Sequence, residues 1–99
     1  MLLEWHSQIK FEKIMNKETS QTRTEILAAS LDARIQEVMH YQINIDNYTL
    51  ALEEIAALPE QDREGLKLFA DQLRGLLASE ILEQKKAKIM LAVIKKQVE

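Results

Sequence analysis

The chain contains no cysteine, one proline and only two glycines in 99 residues. Without cysteine it can form no disulfide, no thiolate nucleophile and no cysteine-type zinc site. Gly65 and Gly75 fit neither the G-x-G-x-x-G fingerprint nor a P-loop, which excludes a glycine-rich phosphate-binding loop. Two histidines and few loop residues also leave little from which to build a Ser/His/Asp arrangement. We therefore expect a protein without enzymatic activity.

Long hydrophobic runs are also absent. The longest is the six-residue stretch 89–94 (IMLAVI), whereas a transmembrane helix needs about 20 apolar residues. The N-terminus, MLLEWHSQIKFEKIM, lacks a basic start, a clean apolar stretch and a small-residue cleavage site, so we expect no signal peptide. The sequence therefore predicts a cytoplasmic protein that does not enter a membrane.

The composition that is present suits a single helical domain covering residues 1–99. Apolar residues make up 46% of the chain, enough for a hydrophobic core, and charged residues make up 29%. The net charge of −3 gives no general attraction to DNA or to acidic lipid.

Two long helices are predicted. Thr22 and Glu25 match a capping box, and an apolar-periodic run follows them without glycine or proline until Pro59. This pattern predicts a helix over 22–58, a length typical of coiled coils and long bundles. Pro59 ends that helix and suits the start of a second one over 60–98.

The link between these helices is too short for any arrangement but antiparallel neighbours. Residues 1–17 predict a shorter accessory helix, which a polar connection over 16–21 joins to the first long helix. The predicted fold is therefore all-α: a long antiparallel, coiled-coil-like helical hairpin with a short N-terminal helix.

Apolar residues at alternating spacings of three and four predict the seam between the two long helices. On the first helix they are Leu27, Leu31, Val38, Tyr41, Ile45, Tyr48, Leu52 and Ile55. On the second helix they are Leu66, Leu73, Leu77, Leu91, Ile94 and Val98.

A second set of apolar residues lies well away from this seam, given an advance of about 100° per residue. It comprises Met39, Ile43, Leu50 and Ala57 on the first helix, and Leu68, Gly75, Leu82, Ile89 and Val93 on the second. A lone hairpin would leave this surface in water, and contiguous exposed apolar patches usually mark an interface. Residues 1–17 are too few to cover both helices. We therefore expect a protein partner or a second copy of the chain, and a homodimeric four-helix bundle is the simplest closure.

A metal site is an alternative interpretation of three polar residues. Glu37 and His40 form Glu-x-x-His, the repeated element of di-iron helical bundles. Antiparallel pairing about a turn near Pro59 places His40 roughly level with Glu80, and a dimer would duplicate the set. A simpler interpretation pairs Glu80 with Arg34 in the seam, where a polar pair can fix the register of two helices. We favour the structural role and expect no bound metal or cofactor.

The C-terminal lysines support a third hypothesis. Five of them crowd the last fifteen residues: Lys85, Lys86, Lys88, Lys95 and Lys96. A basic amphipathic segment can bind nucleic acid, a membrane surface or a protein partner. Interspersed glutamates and the lack of interleaved aromatic residues disfavour nucleic acid, so we expect a solvated face.

The sequence thus favours a non-enzymatic helical interaction module that binds itself or a protein partner. The predicted contact residues are Met39, Ile43, Leu50, Leu68, Leu82, Ile89 and Val93. Small regulators, inhibitors, adaptors and phage accessory proteins share this format, although a shared format does not identify a function. A metal-binding bundle and a nucleic-acid-binding hairpin are the alternatives.

Overall fold

The computed structural model describes residues 19–98, with side chains from residue 22 onward. Two long helices, α1 (Thr19–Ala56) and α3 (Lys67–Val98), flank a short helix, α2 (Glu60–Gly65). No β-strand occurs within the described range. The prediction of an all-helical fold with long helices packed on each other is confirmed for these residues. The accessory helix predicted for residues 1–17 lies outside them.

α1 and α3 run antiparallel along their whole shared length. Near the open end of the hairpin, Arg23 Nη2 donates a hydrogen bond of 3.1 Å to Gln97 Oε1. Near its middle, Asn44 Nδ2 donates to Glu80 Oε1 at 2.9 Å. The described residues measure 69 × 27 × 14 Å, and their radius of gyration is 20.9 Å. A compact domain of this length would have a radius of gyration of about 13 Å, so the hairpin is an elongated slab.

The seam follows an unbroken heptad repeat on both helices. Between Leu27 and Ile55 on α1, and between Leu66 and Ile94 at α3, every residue at its a and d positions is buried or half-buried. On α1 these are Leu27, Leu31, Arg34, Val38, Tyr41, Ile45, Tyr48, Leu52 and Ile55. On α3 they are Leu66 (the residue just before the helix), Ala70, Leu73, Leu77, Glu80, Gln84, Ala87, Leu91 and Ile94. Such a repeat keeps one stripe of each helix against its neighbour and gives coiled-coil-like packing. Val98, predicted to belong to the seam, is exposed at the end of α3.

The helix ends differ from the predicted ones. The capping box does not start a helix, because Thr19 is already helical and Thr22 lies inside α1. No glycine or proline immediately before Thr22 breaks the helix. The backbone N–H groups that the Thr22 side chain would cap can therefore bond to carbonyls one turn earlier. α1 ends at Ala56, two residues before the predicted end at residue 58.

The second predicted helix, 60–98, is interrupted at Leu66. This residue has φ −108° and ψ 11°, outside the helical range, and separates α2 from α3. Its N–H bonds to the Arg63 carbonyl at 3.0 Å, and its own carbonyl accepts the Ala70 N–H at 2.8 Å. Pro59 opens α2 by accepting hydrogen bonds from the Asp62 and Arg63 amides. The connection between α1 and α3 is therefore a small structured corner.

The core of the described residues is thin. Leu73 is 5% exposed and Ile94 8%, and the other buried apolar residues are the small Ala70 and Ala87. No described side chain is completely shielded from solvent. Two helices in contact along one stripe cannot surround a side chain, so most seam residues stay half-exposed.

Gly75 lies in the middle of α3 and has no structural need to be glycine. A Cβ built at this position meets no atom within 4 Å, and its φ is negative. Because glycine costs a helix interior up to about 1 kcal/mol relative to alanine, we expect Gly75→Ala to stabilise the isolated hairpin by about that amount. Urea unfolding followed by circular dichroism at low protein concentration would measure it. A loss of stability would show that another surface approaches Gly75 closely in solution.

Candidate interaction surface

The outer edges of the hairpin are apolar on both helices. The exposed residues Met39, Ile43 and Leu50 on α1, with Ala57 just beyond its end, form what we call the α1 stripe. On α3 the exposed residues Leu68, Gly75, Leu82, Ile89 and Val93 form the α3 stripe. Both sets are those identified from the sequence, and the described structure leaves every member exposed. Their role as a contact surface is a prediction that the exposure alone does not test.

The exposure of these side chains is large. Leu68 is 72% exposed, Ile89 62% and Ile43 55%. Complete burial of such a side chain is favourable by about 1.5–3 kcal/mol of free energy relative to leaving it in water. Single exposed leucines are common on protein surfaces, but here they recur at heptad spacing along two helices. A surface of this kind favours association with another apolar surface.

The α3 stripe is wider than the sequence analysis indicated. Phe69, Leu76 and Met90 are also exposed, at 43–47%, one position after the f-position residues of the stripe. The paired positions 68/69, 75/76 and 89/90 recur at multiples of seven residues, which is the signal that could have found them. We include these three residues in the α3 stripe from here on. On α1, Ile26 and Ile35 are exposed near the α1 stripe.

The two stripes point away from each other. Ile43 and Leu50 on α1, and Leu68, Leu82 and Ile89 on α3, occupy the heptad f position, which lies opposite the a and d positions at the seam. Because each helix directs its seam at the other, the two f columns lie at opposite edges of a slab 27 Å wide. A single partner helix, about 10–12 Å across with its side chains, cannot contact both stripes at once.

Charge divides between the two long helices. α1 contains six acidic and two basic residues, a net charge of −4. α3 contains three acidic and seven basic residues, a net charge of +4. The sequence-wide net charge of −3 conceals this division. The surface therefore has an acidic edge along α1 and a basic edge along α3.

Ion pairs within the described residues do not link these two edges. The three pairs there join Arg34 with Glu37, Arg74 with Asp71, and Lys86 with Glu83, at 2.7–3.0 Å. Each connects residues three apart on one helix, and such exposed pairs contribute little to stability. The opposite charges of α1 and α3 are thus left without direct partners across the seam.

The three metal candidates lie around one shallow groove, which Glu37, His40 and Glu80 line together. Each carboxylate already has a partner: Glu37 accepts from Arg34 at 2.8 Å, and Glu80 accepts from Asn44 at 2.9 Å. Within the described residues, no three His, Cys, Asp or Glu side chains are close enough together to hold a metal ion. The expected Arg34–Glu80 pair is wrong, because Arg34 binds the glutamate one turn along its own helix.

The C-terminal lysines lie on the surface of α3. Lys85, Lys86, Lys88, Lys95 and Lys96 are all exposed, and Lys86 bonds to Glu83 at 3.0 Å. Lys67, Arg74, Lys88 and Lys95 share the heptad e position, on the side of α3 away from Phe69 and Leu76. They form a basic strip beside the α3 stripe.

Within residues 19–98, the structure contains no helix with the length and apolar character needed to cross a bilayer. Comparison with protein-family models, with curated proteins and with solved structures gave no match to this chain.

Proposed function

We propose that the chain is a non-enzymatic, cytoplasmic protein-binding module whose stripes dock on helical surfaces of protein. The observation that supports this proposal most directly is the contrast between edge and core. Leu68, Ile43 and Ile89 are more than half exposed, whereas among the large apolar side chains from residue 22 to 98 only Leu73 and Ile94 are nearly buried. A folded hairpin that keeps so much apolar surface at heptad spacing is suited to binding further helices.

This proposal explains why the apolar residues continue around α3. A hairpin that needed only to fold would place polar residues at its f positions, which contribute nothing to the seam. Leu68, Leu82 and Ile89 occupy those positions instead. Regulator, inhibitor, adaptor and phage-type accessory roles are all compatible with a surface of this kind. The surface itself supports binding and not a particular pathway.

Photo-cross-linking in the source cells would test the proposal. We would place a photoreactive amino acid at Ile43 or at Ile89, with Gln61 on α2 as the control. All three side chains are exposed, but Gln61 lies outside both stripes. We expect discrete protein adducts from the two stripe positions and few or none from the control. Equal labelling at all three positions, or none at any, would contradict a binding role for the stripes.

A further inference from the structure

The acidic flank of α1 and the basic flank of α3 have the same spacing. Four acids share the heptad b position of α1, next to the α1 stripe: Glu25, Asp32, Asp46 and Glu53. Four bases share the e position of α3: Lys67, Arg74, Lys88 and Lys95. Both sets follow intervals of 7, 14 and 7 residues. In one antiparallel alignment, all four acids therefore lie level with all four bases.

The middle position of this alignment is apolar on both helices. Met39 fills the gap between Asp32 and Asp46, and Ile81 fills the gap between Arg74 and Lys88. Both side chains are exposed, at 53% and 38%. We call the b positions of α1 and the e positions of α3 the two columns. In this alignment each acid of one column lies level with a base of the other, and Met39 lies level with Ile81. Complementary columns of this kind select partner and orientation in coiled coils.

These columns do not meet within one hairpin. No ion pair of the described residues joins α1 to α3, and the b position of α1 is turned toward the outer edge. The columns would meet if α1 of one molecule lay alongside the outer edge of α3 of another. That placement also brings the α1 stripe onto the α3 stripe.

We propose that the occupant of the α3 stripe is a second copy of this chain, which docks through its own α1 stripe. This inference rests on the proposed binding role and names its partner. If α1 packed against α1 of another copy, two helices of net charge −4 would repel each other. Two copies of α3, each of net charge +4, would repel in the same way. Contact between α1 and α3 of different copies joins opposite charges instead.

The contact is heterologous, because it uses two different surfaces at opposite edges of the molecule. The assembly still presents one free α1 stripe at one end and one free α3 stripe at the other. Such contacts form open arrays unless their rotation closes a ring. The hairpins would add side by side, with each new α1 antiparallel to the α3 that it covers. This arrangement differs from the closed homodimeric bundle that the sequence suggested.

Mixing two defective variants would test the inference. Ile43→Asp damages only the α1 stripe, and Ile89→Asp damages only the α3 stripe. Light scattering on a sizing column should show wild-type assemblies that grow beyond two chains with concentration. Each variant alone should be monomeric, with association at least tenfold weaker. An equimolar mixture should form a complex of two chains and nothing larger, because each variant keeps the stripe that the other lacks.

A control separates surface damage from a folding defect. Gln61→Asp adds the same charge at an exposed position of α2, outside both stripes. It should assemble like the wild type, and all variants should keep wild-type helicity by circular dichroism. A wild-type monomer at all concentrations, or a mixture no larger than its components, would overturn the inference. If the cross-links at Ile89 persisted in that case, the partner would be another protein and the binding role would stand.

Charge reversal in the mixed pair would test the columns themselves. Lys67→Glu is placed in the Ile43→Asp chain, which offers its α3 edge, and Glu53→Lys is placed in the Ile89→Asp chain, which offers its α1 edge. Either reversal alone should weaken the two-chain complex by about two- to fivefold, the range expected for an exposed ion pair. Both together should restore it. Weakening that is simply additive in the doubly reversed pair would contradict the proposed alignment.

Discussion

Replacing Leu73 with alanine is expected to cost the hairpin about 2–5 kcal/mol of its free energy of unfolding. Leu73 is the least exposed large side chain of the described residues, at 5%. Small domains are stable by only about 5–15 kcal/mol in total. A thin seam has few other buried groups to compensate, so a large part of the molecules should unfold at moderate temperature.

The matched control is Leu68→Ala on the same helix. Leu68 is 72% exposed, so this substitution should change the stability of the isolated hairpin by less than about 0.5 kcal/mol. Both variants would be compared by urea unfolding in dilute solution, where association contributes least. Equal losses for the two leucines would contradict the seam described above. A loss for Leu68 that appears only at high protein concentration would instead support burial of the α3 stripe between molecules.

The seam shows how much of this fold the sequence can predict. Leu27, Val38 and Leu73 follow heptad spacing, which is readable because burial selects apolar residues at 3-4 intervals. Ala70 and Ala87 are among the most buried residues but were missing from the predicted seam. Alanine occurs as readily on exposed helix surfaces as in cores, so its position carries almost no signal of burial.

The register of the two helices was less predictable than their pairing. Glu80 was expected level with His40, whereas the structure pairs it with Asn44, one turn further along α1. The short helix α2 and the break at Leu66 lengthen the corner, and the partner of Glu80 lies further along α1 than a direct turn predicts. A turn assumed to be tight could not show this shift.

The candidate surface was predictable as a pattern but not in its extent or geometry. Ile43 and Ile89 were identified from periodicity, and Phe69, Leu76 and Met90 were not. That the two stripes point to opposite edges follows from the seams of the two helices facing each other, which directs each f column outward. The closed dimer expected from the sequence stays a prediction, and it was made without this direction, because helical-wheel reasoning treats each helix alone.

The second large effect is expected at Gln84, the one buried polar residue of the described chain, at 7% exposure. Its Nε2 donates to the Val38 carbonyl at 3.1 Å and to Gln42 Oε1 at 3.0 Å. These two acceptors lie one turn apart on α1, so the amide fixes the level at which the helices meet. Buried polar residues in coiled-coil seams specify register at some cost in stability.

Gln84→Leu should therefore make the hairpin more stable and less uniquely aligned. The Val38 carbonyl keeps its bond within α1, and the exposed Gln42 amide can bond to water, so no buried polar group is left unpaired. Burial of leucine in place of the amide should raise stability by about 1 kcal/mol, which is about 4–8 °C in Tm for a domain of this size. Gln84→Ala should lower stability by about 1–3 kcal/mol, since it loses both the hydrogen bonds and the packing.

Register and stability should thus respond in opposite directions to Gln84→Leu. Spin labels at the exposed positions Asn47 and Ser79 would report the level of the helices through their distance distribution. We expect one narrow distance in the wild type and a broader or second distance in the leucine variant, despite its higher Tm. A lower Tm together with an unchanged distance would show that the amide stabilises the seam and does not select its register.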